Sequence, residues 1–338
     1  MKRKIKLVST VLALTLLTSC TAGVAEETSE TSVEETTVDI TDSQITYRFA
    51  DREEGVELLL ANEEYYAGFS QNDLDFKMQE TGATMEEYQE FASEQVLDFT
   101  EEQMDKIDAS IARIEQIIDE NGYELPPIDE IVFIVTTMAE EPGAGGYTHG
   151  TEIYLGDYVI DNCDEETLDY VICHELFHCL TRCNPDFRAE AYELINFTVA
   201  DKDFDIPEGV FEYHISNPDV EHHDAYATFI INGEEIDCFT DFVTTAHYDQ
   251  AQTDFFSVGT TALIPIDGTD IYYTPEDADN FYEVFGENTG YVIDPEECMA
   301  DNFAFAIVYG MDCPGDEEYP NPEIIEGILN ILGARFVG

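Results

Sequence analysis

Residues 164–182 read DEETLDYVICHELFHCLTR, and this stretch decides what fold the chain can adopt. Three acids open it, where the partial positive charge of a helix N-terminus favours carboxylates. Its apolar residues recur at spacings of three and four, which predicts a single helix with one buried face: Leu168, Val171, Ile172 and Leu176. The sequence therefore predicts one helix from Asp164 to Arg182, packed against the core.

The middle of this helix carries the pattern HExxH, formed by His174, Glu175 and His178. Side chains four residues apart project from the same helix face, so the two imidazoles can bind one zinc ion through neutral nitrogens. Glu175 is turned by about 100° from His174 and can reach a water on the metal without being a ligand. The chain has seven histidines, so a chance match is expected on the order of 0.02 times. The pattern predicts a zinc-activated water, with Glu175 as general base and then general acid.

A catalytic zinc site needs a third protein ligand and an open coordination position. A candidate segment, DPEECMADNF at residues 294–303, has Pro295 where the first turn of a helix accepts proline. Glu297 and Asp301 lie four residues apart in it and therefore share one helix face.

With HExxH and the Glu297/Asp301 pair, the chain resembles the gluzincins, the thermolysin-like zinc metallopeptidases. In that group a Glu from a second helix is the third ligand, and an Asp four residues later orients a zinc-binding His. The resemblance implies that Glu297 binds the zinc and that Asp301 accepts an imidazole N–H. The metzincin extension is excluded, because that pattern needs Gly and His where this chain has Thr181 and Asn184.

Two other carboxylates remain open as the third ligand. Glu296 adjoins Glu297, but the residue four positions later is Ala300, which can orient no imidazole. Glu190, on the next predicted helix, is a more distant alternative.

The expected fold class is α+β and zincin-like, with a small mixed sheet packed on helices and a largely helical C-terminal part. Ile131–Thr137 and Glu152–Leu155 are the predicted strands before the HExxH helix. The resemblance implies an antiparallel edge strand between about Tyr147 and Leu155, which pairs with a peptide substrate. The glycine-rich segment 141–150 is otherwise expected to be a mobile loop, with His149 exposed.

Hydrolysis also needs a hydrogen-bond donor for the oxyanion of the tetrahedral intermediate. Tyr291, six residues before Glu297, is the first candidate. Four histidines are the others: His214, His222, His223 and His247.

Further elements follow from spacing and capping residues. Helical spacing covers 50–66, Ser70 can cap a helix to about Gln79, and Thr84 and Thr100 begin capping boxes. A hairpin is expected over 225–245 around Asn232-Gly233, with a strand region at 255–273. The last predicted helices are 275–285, 295–309 and 322–332.

The N-terminus has the pattern of a bacterial lipoprotein signal. A basic start precedes a short apolar run that ends in Leu17-Thr18-Ser19-Cys20, so Cys20 would be lipidated and become the mature N-terminus. Residues 21–43 hold seven acids, many Thr and Ser, and no Lys or Arg, which predicts a disordered tether. The expected location is the extracellular face of the cell membrane, with the membrane contacted only through the lipid at Cys20.

Composition limits the partners. Against 75 Asp and Glu stand only 13 Lys and Arg, a formal net charge of −62. Nucleic acid is excluded as a partner, because its phosphates would be repelled.

One metallopeptidase domain is expected over 44–338, its N-terminal part reaching to about Cys183 and its C-terminal part covering 184–338. The expected function is a zinc peptidase that acts on peptide or protein substrates. The alternative is a non-catalytic zincin-fold binding or adhesion lipoprotein.

Overall fold

A computed structural model describes residues 43–251, 254–314 and 318–333. The signal segment, Cys20 and the tether up to residue 42 lie outside this range. No helix within it is both long enough and apolar enough to cross a membrane.

Helices supply most of the regular structure. The helices in the described residues are α1 (Arg52–Leu60), α2 (Glu63–Ala67), α3 (Gln71–Met78), α4 (Met85–Gln95), α5 (Glu101–Asn121), α6 (Asp157–Asn162), α7 (Glu165–Cys183), α8 (Pro185–Glu193), α9 (Glu208–Phe211), α10 (Phe281–Phe285), α11 (Pro295–Val308) and α12 (Pro322–Gly333), with a 3₁₀ turn at Pro275–Asp277.

Two four-stranded sheets accompany the helices. The first, in the order β1-β2-β4-β3, contains β1 (Tyr47–Phe49), β2 (Ile131–Thr136), β3 (Gly146–His149) and β4 (Glu152–Gly156). Strands β1, β2 and β4 are parallel, whereas β3 pairs antiparallel with β4 and forms an edge. The second, antiparallel and in the order β5-β6-β7-β8, contains β5 (Thr198–Val199), β6 (Ala225–Ile231), β7 (Glu234–Thr244) and β8 (Gly259–Pro265).

Local capping explains where several helices begin. The Asp164 carboxylate accepts the backbone N–H of Thr167 at 2.9 Å and starts α7. Thr84 and Thr100 both form complete capping boxes, at the starts of α4 and α5. Gly122 ends α5 in the left-handed conformation, with φ of 66°. The starts of α4, α5 and α7 were predicted from the sequence and are confirmed.

The core of the molecule positions α7. This helix contacts α5, α8 and α11 as well as strands β3 and β4. Its apolar face, with Leu168, Ile172 and Leu176, is buried in the largest hydrophobic cluster together with residues of β2 and α11. Burial of apolar surface on three sides holds α7 and α11 side by side, which places their polar faces opposite each other.

Several sequence expectations need correction. The C-terminal part is not largely helical, because strands β5 to β8 form a second sheet there. Helical spacing over 50–66 is split into α1 and α2, since the Asn62 side-chain amide donates to the carbonyls of Leu58 and Leu59 and closes α1. The helix expected over 275–285 is also interrupted, because the Asn280 side chain is bound to the backbone of β6.

The mixed α/β class with a small mixed sheet packed on helices is confirmed. The glycine-rich segment expected to be a loop contains the edge strand β3, and His149 at its end is buried rather than exposed.

Candidate metal centre

The HExxH residues lie on the polar face of α7, opposite α11. Glu175 and His178 are buried, and the His174 side chain is 12% exposed. The rings of His174 and His178 have their centroids 4.9 Å apart. Because the two histidines are four residues apart on the helix, their imidazoles lie next to each other on one face, as a shared ligand site requires.

His174 lies between two carboxylates of α11. Its Nδ1 is 2.9 Å from Asp301 Oδ1, and its Nε2 is 3.1 Å from Glu297 Oε2. Because Glu297 and Asp301 are one turn apart on α11, a single imidazole reaches both, one through each ring nitrogen.

His178 has a carboxylate partner on one side only. Its Nδ1 is 2.9 Å from Glu296 Oε1, whereas its Nε2 is buried and has no hydrogen-bond partner among the residues that the structure describes. The nearest carboxylate oxygens to Nε2 are Glu297 Oε2 at 3.8 Å and Asp219 Oδ1 at 3.9 Å. A buried polar atom without a partner destabilises a fold unless a ligand satisfies it.

The donor set fits a zinc ion. Carboxylates at both Nδ1 atoms favour the tautomer with hydrogen on Nδ1, which leaves Nε2 of His174 and of His178 as lone-pair donors. The ligand atoms of these two histidines and Glu297 all lie within 4.8 Å of one another. Ligands about 2.0–2.2 Å from a tetrahedral ion are about 3.3–3.6 Å apart, a range that the 3.1 and 3.8 Å separations bracket.

Hydrogen bonds from the surroundings fix Glu297. Its Oε1 accepts from the Tyr291 hydroxyl at 2.9 Å and from the Asn217 amide. Oε2 is thereby left to face the two imidazoles. When no metal is bound, a protonated His174 supplies a hydrogen bond and a positive charge that outweigh the effect of burial and hold the pKa of the Glu297 carboxyl below its ordinary value. A metal cation beside a neutral His174 would favour the ionised carboxyl in the same way.

The two carboxylates behind the histidines are held equally firmly. Asp301 accepts from the Tyr170 hydroxyl at 2.5 Å and from the Thr289 hydroxyl. Glu296 accepts from the Thr181 hydroxyl at 2.6 Å and from the Tyr192 hydroxyl. Each imidazole is therefore oriented by an anion that has hydrogen-bond partners of its own.

Glu175 lies on the side of the centre that faces β3. Its Oε2 accepts from the Thr148 hydroxyl at 2.8 Å. Burial raises the pKa of the Glu175 carboxyl above its ordinary value, because the charged form loses its hydration. At Gly146 of β3, a Cβ would be 2.8 Å from Glu175 Oε1, so only glycine leaves this carboxylate its present position.

The structure brings five sequence-predicted residues together: His174, Glu175, His178, Glu297 and Asp301. Tyr291 is adjacent, with its ring 6.2 Å from that of His174. By contrast, Glu190 is exposed on α8 and takes no part. His214 is bound elsewhere, to Asp241 at 2.8 Å.

Sequence reasoning assigned Glu296 only as a rival ligand, on the ground that nothing four residues later could orient an imidazole. In the structure Glu296 itself contacts His178 Nδ1. The sequence could have indicated this role. Each of two metal-binding imidazoles needs a hydrogen-bond acceptor at its other nitrogen, and Asp301 can be the acceptor for only one of them. Thr148, Asn217 and Asp219 carried no such signal, because they come from segments without a motif.

The carboxyl group of Asp219 also lies in the candidate metal centre, which the sequence did not predict. Its Oδ1 accepts the backbone N–H of Thr148 at 2.7 Å, and Glu175, His178 and Asp219 form a second group of ligand atoms within 4.8 Å of one another. Burial raises the pKa of the Asp219 carboxyl well above its ordinary value. Glu175 therefore has a second carboxyl group beside it.

Comparison with protein-family models, with curated proteins and with solved structures finds no match for this chain.

Proposed function

We propose that this chain is a zinc-dependent peptidase of the gluzincin type with a zincin-like fold. One observation carries the proposal: the Nδ1 atoms of His174 and His178 both meet carboxylates, and their Nε2 atoms lie beside Glu297, one of them buried and unpartnered. Side-chain clusters that serve stability alone rarely leave such an atom unsatisfied.

His174, His178 and Glu297 would hold the ion. Bound zinc supplies Lewis acidity, which makes water a better nucleophile at neutral pH and polarises a scissile carbonyl. Two imidazoles and one carboxylate leave a position open, as catalytic rather than structural zinc sites do.

Glu175 is the proposed general base and then general acid. The Thr148 hydroxyl fixes its carboxylate, and the raised pKa brings the group closer to the range in which it can both take and return a proton. Glu175 would remove a proton from the attacking water and deliver it to the leaving nitrogen. Tyr291, whose single O–H donates to Glu297 Oε1 in the structure, is the proposed donor to the oxyanion, toward which its O–H would turn from Glu297 during the reaction.

The edge strand β3 is the proposed peptide-binding element. It is antiparallel, lies at the sheet edge and contacts α7, so an extended substrate added to it would pass the metal centre. With Cys20 lipidated, the enzyme would act outside the membrane, on peptides or proteins.

Zinc content and peptide cleavage test the proposal. Purified protein should contain about one zinc per chain and show cleavage of a mixed peptide pool, whereas Glu175→Gln should keep the zinc and lose the cleavage. Glu326→Gln makes the same chemical change at an exposed position of α12 and should behave like the wild type.

Protein that takes up no zinc would refute the metal centre. Zinc-loaded protein that leaves every peptide intact, in the wild type and in the Asp219 variant described below, would favour the binding or adhesion lipoprotein instead.

A further inference from the structure

The segment Ser216–Glu221, which we call the strap, crosses the face of the metal centre. Asn217 donates its side-chain amide to Glu297 Oε1. Two residues later, Asp219 places Oδ1 at 3.9 Å from the unpartnered Nε2 of His178 and within 4.8 Å of a Glu175 oxygen. The strap thus puts one side chain on the third candidate ligand and another between the candidate base and the second imidazole.

The strap also accepts hydrogen bonds from the edge of β3. Asp219 Oδ1 accepts the N–H of Thr148 at 2.7 Å, and Glu221 Oε1 accepts the N–H of Gly150 at 3.1 Å. Along a strand at a sheet edge, the backbone N–H of every second residue points away from the sheet, and an added peptide strand would accept hydrogen bonds from these N–H groups. Here two carboxylates of the chain itself accept these hydrogen bonds.

A cavity of about 610 Å³ borders the strap. Of the strap residues, all but Asp219 line it, together with residues of the α1–α2 region and with His149 at the end of β3. Asn217 lines the cavity and also donates to Glu297, so the strap borders both the cavity and the candidate metal centre. A strap that left this position would open the cavity toward the candidate ligands beside β3.

Polar contacts fasten the strap at both ends. At its start, Asp73 Oδ2 accepts from the Ser216 backbone N–H at 2.9 Å, and Lys77 Nζ donates to the Ser216 carbonyl at 3.3 Å. At its end, Arg182 Nε forms an ion pair with Glu221 at 3.0 Å. The anchors at the start of the strap are buried, whereas Glu221 at its end is exposed, so the Glu221 end is the one that can exchange its contacts for water at modest net cost.

We propose that the strap is an autoinhibitory segment, and that Asp219 holds the metal centre closed in the resting protein. The inference rests on the proposed function, since it assigns Asp219 the place of the substrate carbonyl or the attacking water. The occupant displaced by the strap is an extended peptide, because the strap satisfies strand-edge donors as well as crowding the ligand group. Activation requires the strap to leave β3.

Access to the metal can be measured without turnover. Cobalt-loaded wild type, Asp219→Ala and the control Glu212→Ala would be titrated with acetohydroxamate, a small metal-binding probe, and followed by visible absorption. Glu212 is an exposed acid on the turn after α9, so its variant matches the loss of one charge. We expect Asp219→Ala to bind the probe at least tenfold more tightly than the wild type, and Glu212→Ala to match the wild type.

Hydrogen exchange gives a second readout, and Glu221→Ala a second variant in case Asp219→Ala folds poorly. Glu221 is exposed, and its loss as an acceptor releases Gly150 and Arg182 without touching the candidate ligands. Peptides that cover β3 should exchange faster in both variants, whereas those that cover α7 should not change. Peptide cleavage per unit of zinc should rise at least tenfold in Asp219→Ala.

The outcomes separate the two proposals. Equal probe affinity and equal β3 exchange in all the proteins, with cobalt bound normally, would overturn the strap and leave the metal centre standing. No cobalt uptake by the wild type would overturn both. Tighter probe binding by Asp219→Ala, without cleavage by any of the proteins, would support the strap while refuting the peptidase.

Discussion

At the scale of single residues, the centre depends on carboxylates that do not touch the metal position. Asp301 and Glu296 each face one imidazole Nδ1, and both accept hydroxyl hydrogen bonds that hold them in place. Such anions fix the tautomer and increase the basicity of the other ring nitrogen. Their contribution to zinc affinity is therefore measurable one residue at a time.

The first prediction concerns these two orienting carboxylates. Asp301→Asn and Glu296→Gln should each weaken zinc binding by about 10–100-fold, because a neutral amide stabilises the Nδ1–H tautomer, and raises the basicity of Nε2, less than a carboxylate does. Glu326→Gln should leave the affinity unchanged. Competition with a chromophoric chelator measures the three constants. If Glu296→Gln matched the wild type, the role that we assign to Glu296 would be wrong.

Glu140 is a buried carboxyl outside the metal centre, and the second prediction concerns its protonation. Its Oε1 accepts from the Tyr147 hydroxyl at 3.1 Å, and its Oε2 is buried without a partner. Burial raises the pKa of Glu140 from 4.5 to about 7. Between these two values the folded chain binds more protons at this site than the unfolded chain, so Glu140 lowers the stability as pH rises through that window.

Glu140→Gln should therefore stabilise the fold more at pH 8 than at pH 5, with a difference of up to about 3 kcal/mol. Urea unfolding of both proteins at the two pH values measures it. Glu212→Gln, at an exposed position, serves as the control. A free-energy difference that is the same at both pH values would show that Glu140 is ionised in the folded protein throughout.

At the scale of secondary-structure elements, β3 and α7 form one unit. Thr148 of β3 binds the proposed base, and Gly146 leaves room for it. The edge strand thus contributes to the position of Glu175 as well as offering a surface for a peptide.

The third prediction uses adjacent glycines as a matched pair. In Gly146→Ala the new methyl group would be 2.8 Å from Glu175 Oε1, so the flexible carboxylate must move. In Gly145→Ala the nearest atom would be a Val159 methyl at 3.5 Å, an ordinary contact. We expect Gly146→Ala to lose at least tenfold in kcat/KM while zinc content and melting temperature stay close to those of Gly145→Ala. Equal activity of the two variants would contradict this placement of Glu175.

At the scale of the whole molecule, the candidate metal centre joins distant parts of the chain. His174 and Glu297 are 123 residues apart in sequence, and the strap lies between them in the chain. The second sheet and the loops around it fill this interval, while α7 and α11 pack directly against each other. A metal ion held by both helices would stabilise the folded state, because the unfolded chain does not present the same ligand set.

The fourth prediction follows from this linkage. Removing zinc with a chelator should lower the melting temperature by several degrees, since free zinc at 1,000 times Kd adds about 4 kcal/mol of stability. Added zinc should restore it. Glu297→Gln should respond to chelator much less than the wild type when both are followed by differential scanning calorimetry. If neither chelator nor added zinc changed the wild-type melting temperature, binding of the ion would not be coupled to folding, and the site proposed between α7 and α11 would be wrong.

The sequence by itself determined the elements whose causes are local. Capping boxes at Thr84 and Thr100 and the acids before α7 act through hydrogen bonds between residues three apart, so the helix starts were predictable. The HExxH pattern determined which two imidazoles share a face, because helix periodicity alone fixes that.

Tertiary structure decided what depends on packing between distant segments. It placed Glu296 against His178 and left Glu190 exposed, and it laid Asp219 beside Glu175. These positions depend on how α11 and the strap pack against α7 and β3, that is, on contacts between residues many tens of positions apart in the sequence. No local pattern encodes such contacts, since only the packed core fixes which polar faces meet.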